Sequence, residues 1–289
     1  MRKSLGKWML PLALLAAVIS FIFSNVLQSQ PASLSLSEIP EFDGTPYAVL
    51  TGNVPDFSDK DLVAQAFEAY SELDALNRCG TAIACVGISL MPTEERGSIG
   101  QVKPTGWQTV KYEIVDGKYL YNRCHLIGFQ LTGENANECN LITGTRYLNV
   151  EGMLPFENMV ADYVKETGNH VLYRVTPHFI GDELVCRGVQ IEAMSVEDAG
   201  RGICFNVYAY NVQPGIDIDY ATGQSALAGS KTEGSQIDKS YVLNTNSKKF
   251  HLPGCESAVE MKESNRMEYH GDRRDLIEQG YVPCGSCKP

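Results

Sequence analysis

Basic residues are scarce in this chain. Lys and Arg number 24 against 35 Asp and Glu over 289 residues, a formal net charge of −11. Broad binding of nucleic acid depends on many Lys and Arg contacts to phosphate, so the balance argues against a wide basic face. A small basic cleft is still allowed, since cleavage needs only a few phosphates held. Charge of either sign is also missing between Lys7 and Glu38. Arg2, Lys3 and Lys7 precede the uncharged segment 8–27, which is near the length that crosses a hydrocarbon core. A basic start followed by an apolar segment sends a chain to the membrane. A clean small-x-small cleavage pattern is lacking after Phe23, which favours a retained anchor over a cleaved signal peptide. Either way the body is expected outside the cytoplasm. Nothing in the composition marks disorder: 44% of residues are hydrophobic and 20% charged, as in ordinary globular proteins.

Local patterns predict an α+β domain with a mainly antiparallel sheet. Residues 59–76 carry Leu62, Val63, Ala66, Phe67, Tyr70 and Leu73 at helical spacing. Residues 109–121 alternate around Asp116-Gly117, a hairpin signal. Pro155 followed by residues 156–167 reads as a helix stopped by Gly168. Strands are expected at 170–179, 183–194 and 203–211. The expected organisation is a signal peptide or anchor (1–27), a linker (28–40), a main domain (41–220), a second linker (221–238) and a tail module (239–289). The second linker lacks any apolar period. The tail is too small for a self-sufficient core and needs a metal or disulfides.

The chemistry concentrates in Tyr121-Asn122-Arg123-Cys124-His125-Leu126 and in the block from Asn140 to Asn149. In an extended segment, Tyr119, Tyr121, Arg123 and His125 share one face, while Leu120, Cys124 and Leu126 share the other. Arg123 and His125 then lie about 6–7 Å apart along the strand, a phosphate-binding cation beside a possible base. Phosphodiester hydrolysis needs a water relieved of its proton, which a neutral imidazole with a pKa near ~6.5 can do. It also needs counter-charge for the phosphate oxygens and the leaving oxygen, a task suited to Mg2+ or Mn2+ held by few protein oxygens. A lone His in a strand is usually structural, and His170 and His178 are read that way. Arg at the second position before His125, with the Asn block behind it, reverses that reading for His125. Asn140 is read as fixing a turn, and Arg174 is left unassigned.

The pattern Asn122-Arg123-Cys124-His125, with Thr143-Gly144-Thr145-Arg146-Tyr147-Leu148-Asn149 after it, resembles the DNA/RNA non-specific endonucleases of the ββα-metal class. Their signature is Asp-Arg-Gly-His followed by a metal-binding Asn on a helix, and a secreted DNase branch uses Asn-Arg-x-His. The resemblance spans about residues 39–220. It implies a ββα-metal nuclease core that cuts DNA and extends to RNA, leaving 5′-phosphate and 3′-hydroxyl ends. It implies His125 as general base, Asn149 as the Mg2+ ligand and Glu157 as the acidic residue acting on metal waters. Arg123 and Arg146 would hold phosphate. Asn122 and Cys124 depart from the Asp and Gly of the signature. Pro155 between Asn149 and Glu157 argues against one straight helix carrying both. The competing reading is a non-catalytic DNA-binding surface protein; a contact-delivered toxin is a third.

The tail supplies His251-x3-Cys255 and Cys284-x2-Cys287, four soft ligands that can close a tetrahedral Zn2+ site. Disulfides within the tail would leave one of its three cysteines unpaired. The tail resembles the Ada-type metal-binding domain over about residues 239–289, with His251 where that family has a cysteine able to accept a methyl group. The resemblance therefore implies a zinc module without alkyl transfer. Of the other cysteines, Cys79 with Cys85 is the easiest local disulfide, and Cys124 with Cys139 would pin the loop after His125.

Overall fold

The computed structural model describes residues 39–229, 240–271, 273–287 and 289. The described residues fall into two compact units, unit 1 up to Ala228 and unit 2 from Gly229 onward. The apolar segment 8–27 lies outside the described residues. Among those described, no helix is long and apolar enough to cross a membrane.

Unit 1 is built on a six-stranded antiparallel sheet. Its strands in chain order are β1 (Tyr47–Val49), β2 (Phe67–Tyr70), β3 (Ala82–Val86), β6 (Val171–His178), β7 (Gly188–Ser195) and β8 (Cys204–Tyr210), ordered β1-β8-β7-β6-β3-β2 across the sheet. Between β3 and β6 the chain makes β4 (Tyr121–His125), a short helix α1 (Phe129–Thr132), β5 (Leu141–Thr145), and then a helical stretch. Strands β4 and β5 form a separate antiparallel pair, with Tyr121 opposite Thr145 and His125 opposite Leu141. The helical stretch begins as a π-helical segment, Leu148–Met153, and tightens into α2, Leu154–Thr167. Two antiparallel strands followed by a helix form a ββα unit laid against the large sheet.

Burial drives this arrangement. Val160, Ala161 and Val164 of α2 pack with Val171, Tyr173 and Val175 of β6, Ile191 of β7, and Phe205 and Val207 of β8. Apart from the Tyr173 hydroxyl these are apolar contributions to one core, and fully burying such a side chain is worth roughly 1.5–3 kcal/mol. Asn211 ties the hairpin to the sheet. Its buried Oδ1 accepts from the Thr145 amide at 2.8 Å, and its Nδ2 donates to the carbonyls of Thr143 and Cys186. The helix stops at Gly168, whose φ of 72° provides the left-handed cap.

Several expectations need correction. Residues 59–76 form no helix; the stretch is irregular until β2 pairs with β3. Phe67 and Ala69 pack on one side of the sheet while Tyr70 packs on the other, so period-two pairing overrides the helical spacing. Part of the stretch expected as a linker is structured. Ser225–Leu227 forms β10 against β9 (Ile216–Ile218), so unit 1 continues through this stretch, and residues 230–239 lie outside those described. The two proposed disulfides are not formed. Cys79 precedes β3 and belongs to the helix-side core, whereas Cys85 lies within β3 and belongs to the cluster on the opposite face. Cys124 faces inward to Asn149 and Met153 rather than toward Cys139 in the 126–140 connection.

Unit 2 has a four-stranded sheet in the order β13 (Arg266–His270), β11 (Ser240–Asn244), β12 (Lys249–His251), β14 (Val282–Pro283). Its buried core is small. One cluster holds Tyr241, Leu243, Phe250, Leu276 and Tyr281; a second holds Val242, Cys255, Ala258 and Cys284.

Candidate active site

The ββα unit opens onto a cleft of about 630 Å³ whose lining includes Arg96, Arg123, His125, Arg146, Asn149 and Glu157. All five of the residues expected from the sequence for the nuclease site are thus brought to one cavity, together with one that was not expected. Three arginines make this cleft basic within an acidic protein.

His125 ends β4 and is 6% exposed. Its Nε2 lies 2.8 Å from the carbonyl oxygen of Asn135, which can only accept, so Nε2 carries the hydrogen. Burial pushes the imidazole pKa down to about 4, with the Asn135 carbonyl opposing and the Arg96 charge assisting. The ring is therefore neutral at pH 7 and its lone pair sits on Nδ1. That atom receives the Arg96 guanidinium at 3.2 Å. The loop supplying Asn135 is itself anchored, because the Asn140 side chain bonds both the amide and the carbonyl of Ile127. Asn140 fixes this turn, as its sequence context suggests.

Asn149 sits in the π-helical segment, which ends just before Pro155. Pro155 occupies the start of α2, where a missing N–H costs nothing. The expected interruption between Asn149 and Glu157 is thus a change of winding, π to α, and both side chains still reach the cleft. Glu157 is 9% exposed, and burial lifts its pKa to about 7 against the weaker pull of Gln130 and Arg96. Gly128 faces it so closely that a Cβ there would stand 2.3 Å from a Glu157 carboxylate oxygen, so only glycine leaves the carboxylate its place.

The two expected phosphate ligands are already engaged. Arg123 donates through Nε to the Val102 carbonyl and through a terminal nitrogen to the Gly100 carbonyl at 2.9 Å, and stacks 4.1 Å over Trp107. It braces the loop that walls the cleft. Arg146 pairs with Asp116 at 2.8 Å on the exposed rim. Arg96 is the cation that touches the base, and the sequence reading missed it. It lies 29 residues before His125 in an irregular Glu-Glu-Arg-Gly-Ser loop with no period to place it. A basic residue in a glycine-bearing loop was the sole available signal.

His170 and His178 have structural surroundings. His170 pairs with Glu197 at 2.7 Å, and His178 packs against the Tyr208 ring. Arg174 is buried in an ion pair with Glu192 beneath the Phe57 ring.

Residues 58–197 match the family model described as DNA/RNA non-specific endonuclease. The family's enzymes are hydrolases acting on phosphodiester bonds. A deoxyribonuclease from Streptococcus dysgalactiae subsp. equisimilis is 29% identical over 127 residues, covering 42% of this chain and 38% of that protein. The chain therefore spans well under half the length of this curated relative. NucA from Streptococcus agalactiae, solved without metal, superposes with a TM-score of 0.58 at 25% identity, over 67% of this chain and 92% of NucA. The same enzyme with magnesium bound gives 0.56 at 25% identity, over 64% and 91%. Sda1 nuclease with a bound zinc ion gives 0.53 at 24% identity, over 64% and 97%, a likeness of fold.

The donor chemistry of the cleft fits a hard cation. Asn149 and Glu157 offer oxygen, and a buried carboxyl lifted to about 7 is a group whose charged form lacks compensation. Unit 2 offers a different set. The donor atoms of His251, Cys255, Cys284 and Cys287 lie within 4.8 Å of one another. The Cys284 thiol is brought down to about 7 by hydrogen bonds from the Cys287 and Ser286 amides. Three sulfurs and one imidazole nitrogen suit a soft, tetrahedral ion.

Proposed function

We propose that this chain is a magnesium-dependent, sugar-non-specific endonuclease that hydrolyses DNA, and RNA as a second substrate, outside the cytoplasm. The observation that carries this reading is the tautomer of His125. Its Nε2–H is held by the Asn135 carbonyl, which leaves Nδ1 free of hydrogen in a cleft shared with Asn149 and Glu157.

In this reading His125 takes the proton from the attacking water at Nδ1, while the Asn135 carbonyl steadies the imidazolium that forms. The depressed pKa keeps the base unprotonated at neutral pH and favours return of the proton to solvent. Arg96 turns from Nδ1 to the scissile phosphate when substrate enters, so one guanidinium both guards the base and answers the charge that grows on the phosphate. Arg123 keeps the cleft wall in place and Arg146 meets backbone phosphate at the rim. Asn149 and Glu157 are the residues that would hold Mg2+ or Mn2+. Bound there, the ion would supply positive charge for the phosphate oxygens and the leaving 3′ oxygen. Water attack with departure of the 3′ oxygen leaves 5′-phosphate ends.

In unit 2, the His251, Cys255, Cys284 and Cys287 cluster would hold structural Zn2+, supplementing a core too small to stand alone. The basic start and apolar segment 8–27 support export, with the N-terminus either cleaved or retained as an anchor.

Incubating the chain with supercoiled plasmid tests the reading. Magnesium-dependent nicking that EDTA abolishes is expected. A shifted but uncut plasmid would instead favour a DNA-binding protein without catalysis.

A further inference from the structure

The ordinary signature has glycine where this chain has Cys124, and the structure gives that thiol a specific neighbour. Cys124 is 1% exposed, and its Sγ lies 3.1 Å from Oδ1 of Asn149. A carboxamide oxygen has no hydrogen to offer, so the thiol is the donor. The sulfur also lies 3.4 Å from the Met153 sulfur, one turn further along the same helical stretch, and 3.8 Å from the His125 carbonyl oxygen. The thiol therefore spans the two ends of the π-helical segment that presents Asn149.

The placement is built from both strands of the hairpin. Cys124 alternates with Arg123 and His125 along β4, so its side chain points under the cleft as theirs point into it. Diagonally across the pair on β5, a Cβ added at Gly144 would stand 2.6 Å from the Cys124 Cβ. The missing side chain at Gly144 leaves room for the Cys124 side chain that reaches Asn149.

We propose that Cys124 is a positioning residue for the metal ligand, fixing which end of the Asn149 carboxamide faces the cleft. The amide can sit in two orientations related by a flip, and only its oxygen binds a cation. A donor placed beneath Oδ1 selects one of them and occupies a single lone pair, leaving the second for the ion. This inference rests on Asn149 being the ligand, and partners of this kind commonly change metal affinity by about 10–100-fold when removed.

Calorimetric titration of Mn2+ into the full chain, without nucleic acid, separates the two ideas. Wild type, Asn149→Ala, Cys124→Ala and Cys124→Ser are compared, with melting curves to verify folding. Asn149→Ala is expected to lose one binding event. Cys124→Ala is expected to weaken that event by about tenfold or more, and Cys124→Ser, which keeps a donor, to bind within about threefold of wild type. Cys124→Val, which fills the space without a donor, replaces the alanine variant if that one does not fold. Unchanged affinity in the donor-less variant, with the event lost in Asn149→Ala, overturns the role of Cys124 alone. Equal weakening in the alanine and serine variants overturns the hydrogen bond as its basis. Wild-type binding by Asn149→Ala overturns the ligand assignment and this inference with it.

Discussion

The cleft of unit 1 and the cysteine cluster of unit 2 solve opposite problems. The cleft rests on a six-stranded sheet and a 14-residue helix whose apolar packing is complete without any ion. Its polar groups are strained electrostatically instead: a histidine held neutral, a carboxyl lifted to about 7, a guanidinium against an imidazole. The unit 2 cluster is part of the packing itself, since Cys255 and Cys284 belong to one of its two small cores. In the proposed reading, a cation in the first site would serve chemistry and one in the second would serve folding. The difference teaches where each unit should fail when its metal is taken away.

The sharpest break is expected in unit 2. Chelation, or Cys284→Ser, should unfold it while unit 1 keeps its melting transition, because binding of structural zinc contributes on the order of 10 kcal/mol in comparable small modules. Hydrogen exchange resolved by peptide checks this, and intact protection of β11 and β12 in the chelated protein would show a core sufficient without metal. In unit 1 the large effect is on rate rather than stability. Arg96→Ala should slow plasmid cleavage by about 10²-fold, the scale of losing one donor to a charge that develops during reaction. Wild-type turnover in that variant would return Arg96 to the role of a loop residue.

The electrostatic strain can be read by pH in the metal-free protein. Glu157 has a raised folded pKa, so its protonated form favours the native state and that contribution is lost as pH rises from about 4.5 to about 7. His125 has a lowered folded pKa, so its neutral form favours the native state and stability is lost as pH falls from 6.5 toward about 4. The two slopes oppose each other over most of that window, each worth on the order of 3 kcal/mol. Glu157→Gln should uncover a stability that climbs with pH, and His125→Ala one that declines. Denaturant melts at several pH values check this, and identical slopes in both variants would contradict the burial assigned to these groups. The smallest effect belongs to Arg146→Ala. Its pair with Asp116 is largely exposed, so stability should change by less than about 1 kcal/mol.

The candidate site residues were readable in the sequence because they are local. Arg123 and His125 share a strand face by simple alternation, Asn149 follows in the helical stretch after the next strand, and the helix after Pro155 carries its own start and stop. The groups that regulate them come from afar. Arg96 and the Asn135 carbonyl reach His125 from irregular loops on either side of it in sequence, and no periodicity predicts where a loop will fold back. The 59–76 stretch shows the same limit, since pairing with β3 rather than local spacing decides its conformation. Cysteine pairing by proximity in sequence failed for a related reason: Cys79, in the irregular stretch before β3, and Cys85, within β3, end in cores on opposite faces of one sheet. The π-helical turn was legible only as a conflict around Pro155.

The most direct measurement is plasmid nicking as a function of magnesium concentration for wild type and His125→Ala, each verified as folded. The account predicts that wild type cuts only with the ion present, and that loss of the imidazole lowers the maximal rate by about 10²–10⁴-fold without moving the magnesium midpoint. Cutting by His125→Ala at the wild-type rate, or plasmid bound by wild type and never cut, would contradict it.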